Sequence, residues 1–127
     1  MKSKLVLSVA VVTLFLCISS PLRAEDTTVL RVVVVQTDNP DAYVKEIEKG
    51  RAIMKRLEVT GTTRVWKAKF AGQDAGNIVV SIEYPSLAAL AKDDEKTTAD
   101  PAYRTWLKDL AKMRKIVSDS LYTESKP

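Results

Sequence analysis

The chain has no histidine and a single cysteine, Cys17, close to its start. Without imidazole there is no histidine general base and no usual zinc site. One cysteine cannot form an internal disulfide or a paired-thiol metal site. Glycine is equally scarce, with four in 127 residues. The only glycine-bracketed stretch, "AGQDAGN", lacks both the lysine and the strand-to-helix setting of a phosphate loop. Carboxylates remain as candidate metal ligands, and Asp93, Asp94 and Glu95 are adjacent. Their spacing matches no calcium loop, so they read as a solvated acidic stretch, and no metal is assigned.

A long apolar run is present only at the beginning. Lys2 and Lys4 precede an apolar or small stretch from Leu5 to Ser20, which Pro21 breaks before Ala24 and Glu25. Charged start, apolar middle and small residue at the cut make the pattern of a secretory signal, expected over 1–24 with cleavage after Ala24. A membrane anchor would need roughly 20 apolar residues, and bulky Leu16 before Cys17 argues against a lipoprotein. The expectation is therefore an exported protein, periplasmic or secreted, with no membrane span after cleavage. Removing this segment takes away Lys2, Lys4 and Arg23 and no acid, so the net charge falls from +4 to +1. The basicity belongs mostly to targeting, which argues against a nucleic-acid partner. Cys17 leaves as well, and residues 25–127 suffice for one domain with one modest core.

Within that domain "TVLRVVVVQT" reads as a strand. A helix follows, capped at Asp38 or Asn39 with Pro40 in its first turn. Gly50 within it suits close packing on a sheet, and Gly61 suits the exit. "TTRVWKAKFAG" alternates as a strand, "QDAG" turns it, and "NIVVSIEYP" returns. "EYPSLAALAKDDEKTTADPAYRTW" then starts a helix twice, at Ser86 and at Asp100-Pro101. "LAALAK" reads as a turn or two and "DDEKTTA" as an exposed, partly helical excursion. The main helix carries Tyr103, Trp106 or Leu107, Leu110 and Met113. The run "KMRK", Lys112 to Lys115, falls at its end, where the dipole favours cations. "KIVSDSLYTES" is the last strand. The order β-α-β-β-α-β gives an α+β, ferredoxin-like fold, a four-stranded antiparallel sheet with helices on one face. RNA-binding versions stack bases on central aromatics, whereas "NIVVSIEY" offers only Tyr84.

Strand alternation divides the sheet into two faces. Leu30, Val32, Val34, Trp66, Ala68, Phe70, Ile78, Val80, Ile82 and Tyr84 are expected beneath the helices. Arg31, Val33, Val35, Val65, Lys67, Lys69, Val79, Ser81 and Glu83 are expected on the other face. Valines among charges of both signs suit a surface covered by a second copy. That makes Arg31, Val33, Val35, Lys67, Val79 and Glu83 the candidate dimer face, with a solvated monomer as the alternative.

The segments "IVVSIEYPSLAALAK", "DPAYRTW" and "KIVSDSLYTE" resemble the second half of dimeric α/β-barrel proteins, the superfamily of antibiotic-biosynthesis monooxygenase-like domains. The resemblance implies a dimer whose sheets face each other and a ligand pocket in each subunit between sheet and helices. Several members bind haem through histidine, which this chain lacks, so haem chemistry is not expected and no cofactor is assigned. Candidate pocket residues are the aromatics Tyr43, Trp66, Tyr84, Tyr103 and Trp106, which serve equally well as ordinary core. Three functions stay open: binding of a small apolar or aromatic ligand, cofactor-independent oxygenation of an aromatic substrate, or a structural dimer with a filled interior. No catalytic residue is assigned.

Overall fold

The computed structural model describes residues 27–70 and 72–127. The expected signal segment and its cut site lie outside the described residues. Strand β1 (Val29–Gln36) leads into α1 (Pro40–Arg56), then β2 (Thr62–Lys67), β3 (Ile78–Tyr84), α2 (Leu87–Ala99), α3 (Pro101–Ala111) and β4 (Lys115–Thr123). The sheet order is β2-β3-β1-β4, with every neighbouring pair antiparallel. This is the expected ferredoxin-like topology, with the second crossover made of two helices.

Local chemistry explains the boundaries. The Asn39 side chain accepts from the Ala42 backbone N–H at 3.1 Å, and Pro40 opens α1. Helix α1 leaves through Glu58, which adopts a left-handed backbone with φ of 54°. Its N–H donates to Lys55 O and that of Val59 to Met54 O, the paired bonds of a Schellman ending. The exit is thus made at Glu58 rather than at Gly61. Ser86 caps α2, accepting from Ala89 N–H at 3.1 Å. Asp100 ends α2 and caps α3, accepting from Tyr103 N–H at 2.9 Å and from Arg56 at 2.8 Å.

The run "DDEKTTA" is regular helix, not an excursion, because Asp93 has an internal role. Its carboxylate is buried and accepts from the backbone N–H of Thr60 at 3.0 Å and of Gly61 at 2.8 Å, and from the Thr60 hydroxyl at 3.0 Å. It fastens α2 to the α1–β2 link. Between β2 and β3 the connection is longer than a tight hairpin. Strand β2 stops at Lys67, a short 3₁₀ turn occupies Gly72–Asp74, and Phe70 is fully exposed in the loop.

Two strands show the opposite face from the one expected. Register pairs Arg31 with Ile82, Val33 with Val80 and Val35 with Ile78, while Val65 pairs with Val80 and Lys67 with Ile78. Directly paired residues share a face, and Ile78 and Val80 belong to the core with Tyr43, Ile47, Trp106 and Leu110. Arg31, Val33, Val35 and Lys67 therefore lie on the helix side. Of the expected dimer face, only Val79 and Glu83 point away from the helices. Leu30, Val32, Val34 and Trp66 join them there, instead of lying beneath the helices. The Trp66 indole N–H donates to the Ser81 hydroxyl at 2.8 Å, and its ring is 53% exposed.

Gly50 packs on a helix rather than on the sheet. A Cβ at this position would overlap Cζ2, Cε2 and Cη2 of Trp106. The bare backbone lets the α3 indole come close against α1, where its N–H donates to Glu46 O at 2.8 Å.

Candidate functional site

The helices do not seal the sheet completely. Between them is a cavity of about 80 Å³, floored by Arg31, Val33, Thr63, Val80 and Ile82 and walled by Ile47 and Met54 of α1. Tyr103, Trp106, Leu107 and Leu110 of α3 and Arg114 complete it. A smaller space of about 30 Å³ adjoins it, sharing Arg31, Met54, Ile82 and Tyr103 and adding Tyr84, Asp93 and Thr97. An apolar cavity of roughly 150 Å³ admits benzene. The space as it stands therefore takes a group of a few heavy atoms, and a ring requires the side chains that divide the two spaces to move. Met54 is the one suited to do so, being unbranched and adaptable.

Polar groups are few and placed at the margins. The Arg31 guanidinium binds Asp119 of β4 through both carboxylate oxygens, Nε to Oδ1 at 2.9 Å and Nη2 to Oδ2 at 2.7 Å. That pairing holds the Asp119 carboxyl below its ordinary range and raises the Arg31 value further. Two of the five guanidinium N–H donors are thereby used, leaving three. Arg114 is held differently. One terminal nitrogen donates to the Tyr43 hydroxyl at 3.0 Å, while its Nε is buried with no partner among the described residues. Burial pushes the Tyr84 phenol up to about 12 and raises that of Tyr103. Both are neutral hydroxyls at physiological pH. The Tyr103 and Trp106 rings meet tilted at 53° with centroids 5.3 Å apart.

Of the five aromatics singled out in sequence, Tyr103 and Trp106 line the larger cavity and Tyr84 the smaller. Tyr43 is fully buried and touches the site through Arg114. Trp66 lies on the other side of the sheet. The two arginines and Met54 were not picked out as pocket residues. Arg31 carried a signal, a single charge inside a valine strand, matched by Asp119 in the strand beside it. Arg114 stood within a basic run that a helix dipole explains equally well. Among the described residues no group of histidine, cysteine and acidic side chains could hold a metal ion. No helix among them is long and apolar enough to cross a membrane.

No protein-family profile and no curated protein matches the chain in sequence. Solved structures do match it in shape. SnoaB, a cofactor-independent oxygenase from Streptomyces nogalater, superposes with a TM-score of 0.61 at 12% identity, over 80% of this chain and 96% of that one. A NIPSNAP family protein of unknown function from Agrobacterium tumefaciens gives 0.61 at 14% identity, over 80% and 92%. A candidate antibiotic biosynthesis monooxygenase from Chloroflexus aurantiacus gives 0.54 at 10%, over 79% and 95%. At these identities the likeness is one of fold. The chain has the ferredoxin-like fold of the antibiotic biosynthesis monooxygenase-like and NIPSNAP proteins.

Proposed function

We propose that this domain binds a compact apolar or aromatic molecule between its sheet and helices, acting as an exported homodimer without a cofactor. The observation that carries the reading is the unfilled space beneath Tyr103 and Trp106, bordered by Arg31 in a floor otherwise made of Val33, Thr63, Val80 and Ile82. Well-packed interiors leave few voids larger than a water molecule, and a pocket with a few convergent polar groups is the usual form of a small-molecule site. Spectra labelled at the indole nitrogens provide the test. Titrating benzene or another small apolar probe shifts the Trp106 signal, assigned by its persistence in Trp66→Phe. An unmoved Trp106 signal at saturation overturns the reading.

A second reading, cofactor-independent oxygenation of an aromatic substrate, draws on the shared fold with SnoaB. Such chemistry needs a dry, aromatic-walled cavity and a group that stabilises a developing anion. Tyr103, Trp106 and the remaining donors of Arg31 meet that description. Oxygen uptake with electron-rich hydroquinones, dependent on the protein, supports it. No uptake with any of them restricts the site to binding.

A further inference from the structure

Arg114 stands at a boundary. On one side is the apolar cavity; on the other is a crevice of about 530 Å³ lined by Gln36, Thr37, Asp38, Lys112, Met113 and Lys115. We infer that the ligand of this site is an amphipathic monoanion, with a carboxylate head held by Arg114 in the crevice and a small apolar tail in the cavity. The inference rests on the proposed ligand-binding reading and adds the chemical class and the orientation.

The two arginines of the cavity differ in what balances them. Arg31 has a bidentate carboxylate partner in Asp119. Arg114 has the neutral Tyr43 hydroxyl and a buried, unpartnered Nε. No carboxylate lies within ion-pair distance of Arg114 among the described residues, and the acid that feels its charge, Asp119, is already engaged by Arg31. A buried donor without an acceptor is costly, and a charged one more so. That Nε has no surface open to the crevice, so a bound carboxylate accepts from it once the Arg114 side chain turns outward, which relieves the unpartnered donor. The crevice adds Lys112 and Lys115 against the single acid Asp38, so its net charge favours an anion. The small inner volume limits the tail to a few carbons, and the far larger outer volume suits a hydrated head group.

The test compares isovalerate with isovaleramide, equal in shape and different in charge, by titration of the Trp106 indole and Arg114 Nε–H signals of the wild-type protein. The carboxylate binds at least about tenfold more tightly, as expected for a charge-assisted hydrogen bond. It moves both signals, and in Arg114→Met its advantage falls below about twofold. Equal binding of acid and amide overturns the anionic head and leaves the cavity reading standing. An advantage that survives in Arg114→Met overturns the assignment to Arg114. Should that variant not fold, a wild-type Nε–H signal that shifts with the acid and not with the amide supports the anchor, and one that ignores both overturns it. If neither these probes nor benzene moves Trp106, the cavity reading and this inference fall together.

Discussion

Single atoms decide several features of this domain. Gly50 is one, because its missing Cβ is the space that the Trp106 indole occupies. Alanine would gain about 1 kcal/mol in helix propensity, but overpacking typically costs about 1–3 kcal/mol. Gly50→Ala is expected to lower the melting temperature and to alter the near-ultraviolet dichroism of the displaced indole. Asp93 is a second case. Asp93→Ala strands the Thr60 and Gly61 amides, and a loss of about 3 kcal/mol in denaturant unfolding is expected. Glu58 runs the other way. Its left-handed backbone suits glycine, so Glu58→Gly is expected to stabilise the domain by about 0.5–1 kcal/mol, read as a higher melting temperature.

Elements were legible where each face had its own chemistry. In β3 the alternation of Ile78, Val80, Ile82 and Tyr84 with Val79, Ser81 and Glu83 identified the buried side, and the register agrees. In β1 both faces are apolar except for Arg31, and a charge was expected to face outward. The charge lies inward because Asp119, 88 residues away, receives it. In β2 the size of Trp66 suggested core, whereas pairing with Val79 places it on the open side. Strand register is a long-range property that no local pattern carries, and Arg31 was missed as a pocket residue for that reason. Two of these tertiary pairings also set the acid limit of stability. Arg31 holds the Asp119 carboxyl low and Arg56 that of Asp100. Their contributions are complete above the ordinary carboxylate value of about 3.9 and are lost as pH falls through the depressed folded values. Melting temperatures followed downward from pH 6 should hold until about pH 4 and then decline. The decline is expected to be shallower in Asp119→Asn, which starts from lower stability. Tyr84 acts at the other extreme. Burial raises its folded value to about 12, so stability is lost as pH rises from the ordinary phenol value of about 10 toward it.

For the whole molecule, the topology was evident from element order, but the residues that favour association are not the ones expected. The face without helices presents Leu30, Val32 and Val79 around a buried Val34, with an Arg64–Glu83 pair of 3.1 Å toward its margin. Strand β4 adds Tyr122, opposite Leu30 and 55% exposed. That patch is more apolar than the mixed surface expected from sequence, and a second copy is the occupant we propose for it. Light scattering on the chain from Glu25 is expected to give a dimer, and Val32→Arg a folded monomer with an unchanged far-ultraviolet spectrum. A wild-type monomer at high micromolar concentration removes the proposed homodimer and leaves the cavity where it is.

The alternation along β1 has one more consequence. Leu30, Arg31, Val32 and Val33 are consecutive, yet odd positions border the cavity while even ones border the helix-free side. Two surfaces thus share a backbone but no side chains. On the proposed reading, selection can retune the ligand through odd-numbered substitutions while leaving the proposed homodimer alone, and the reverse holds for even ones.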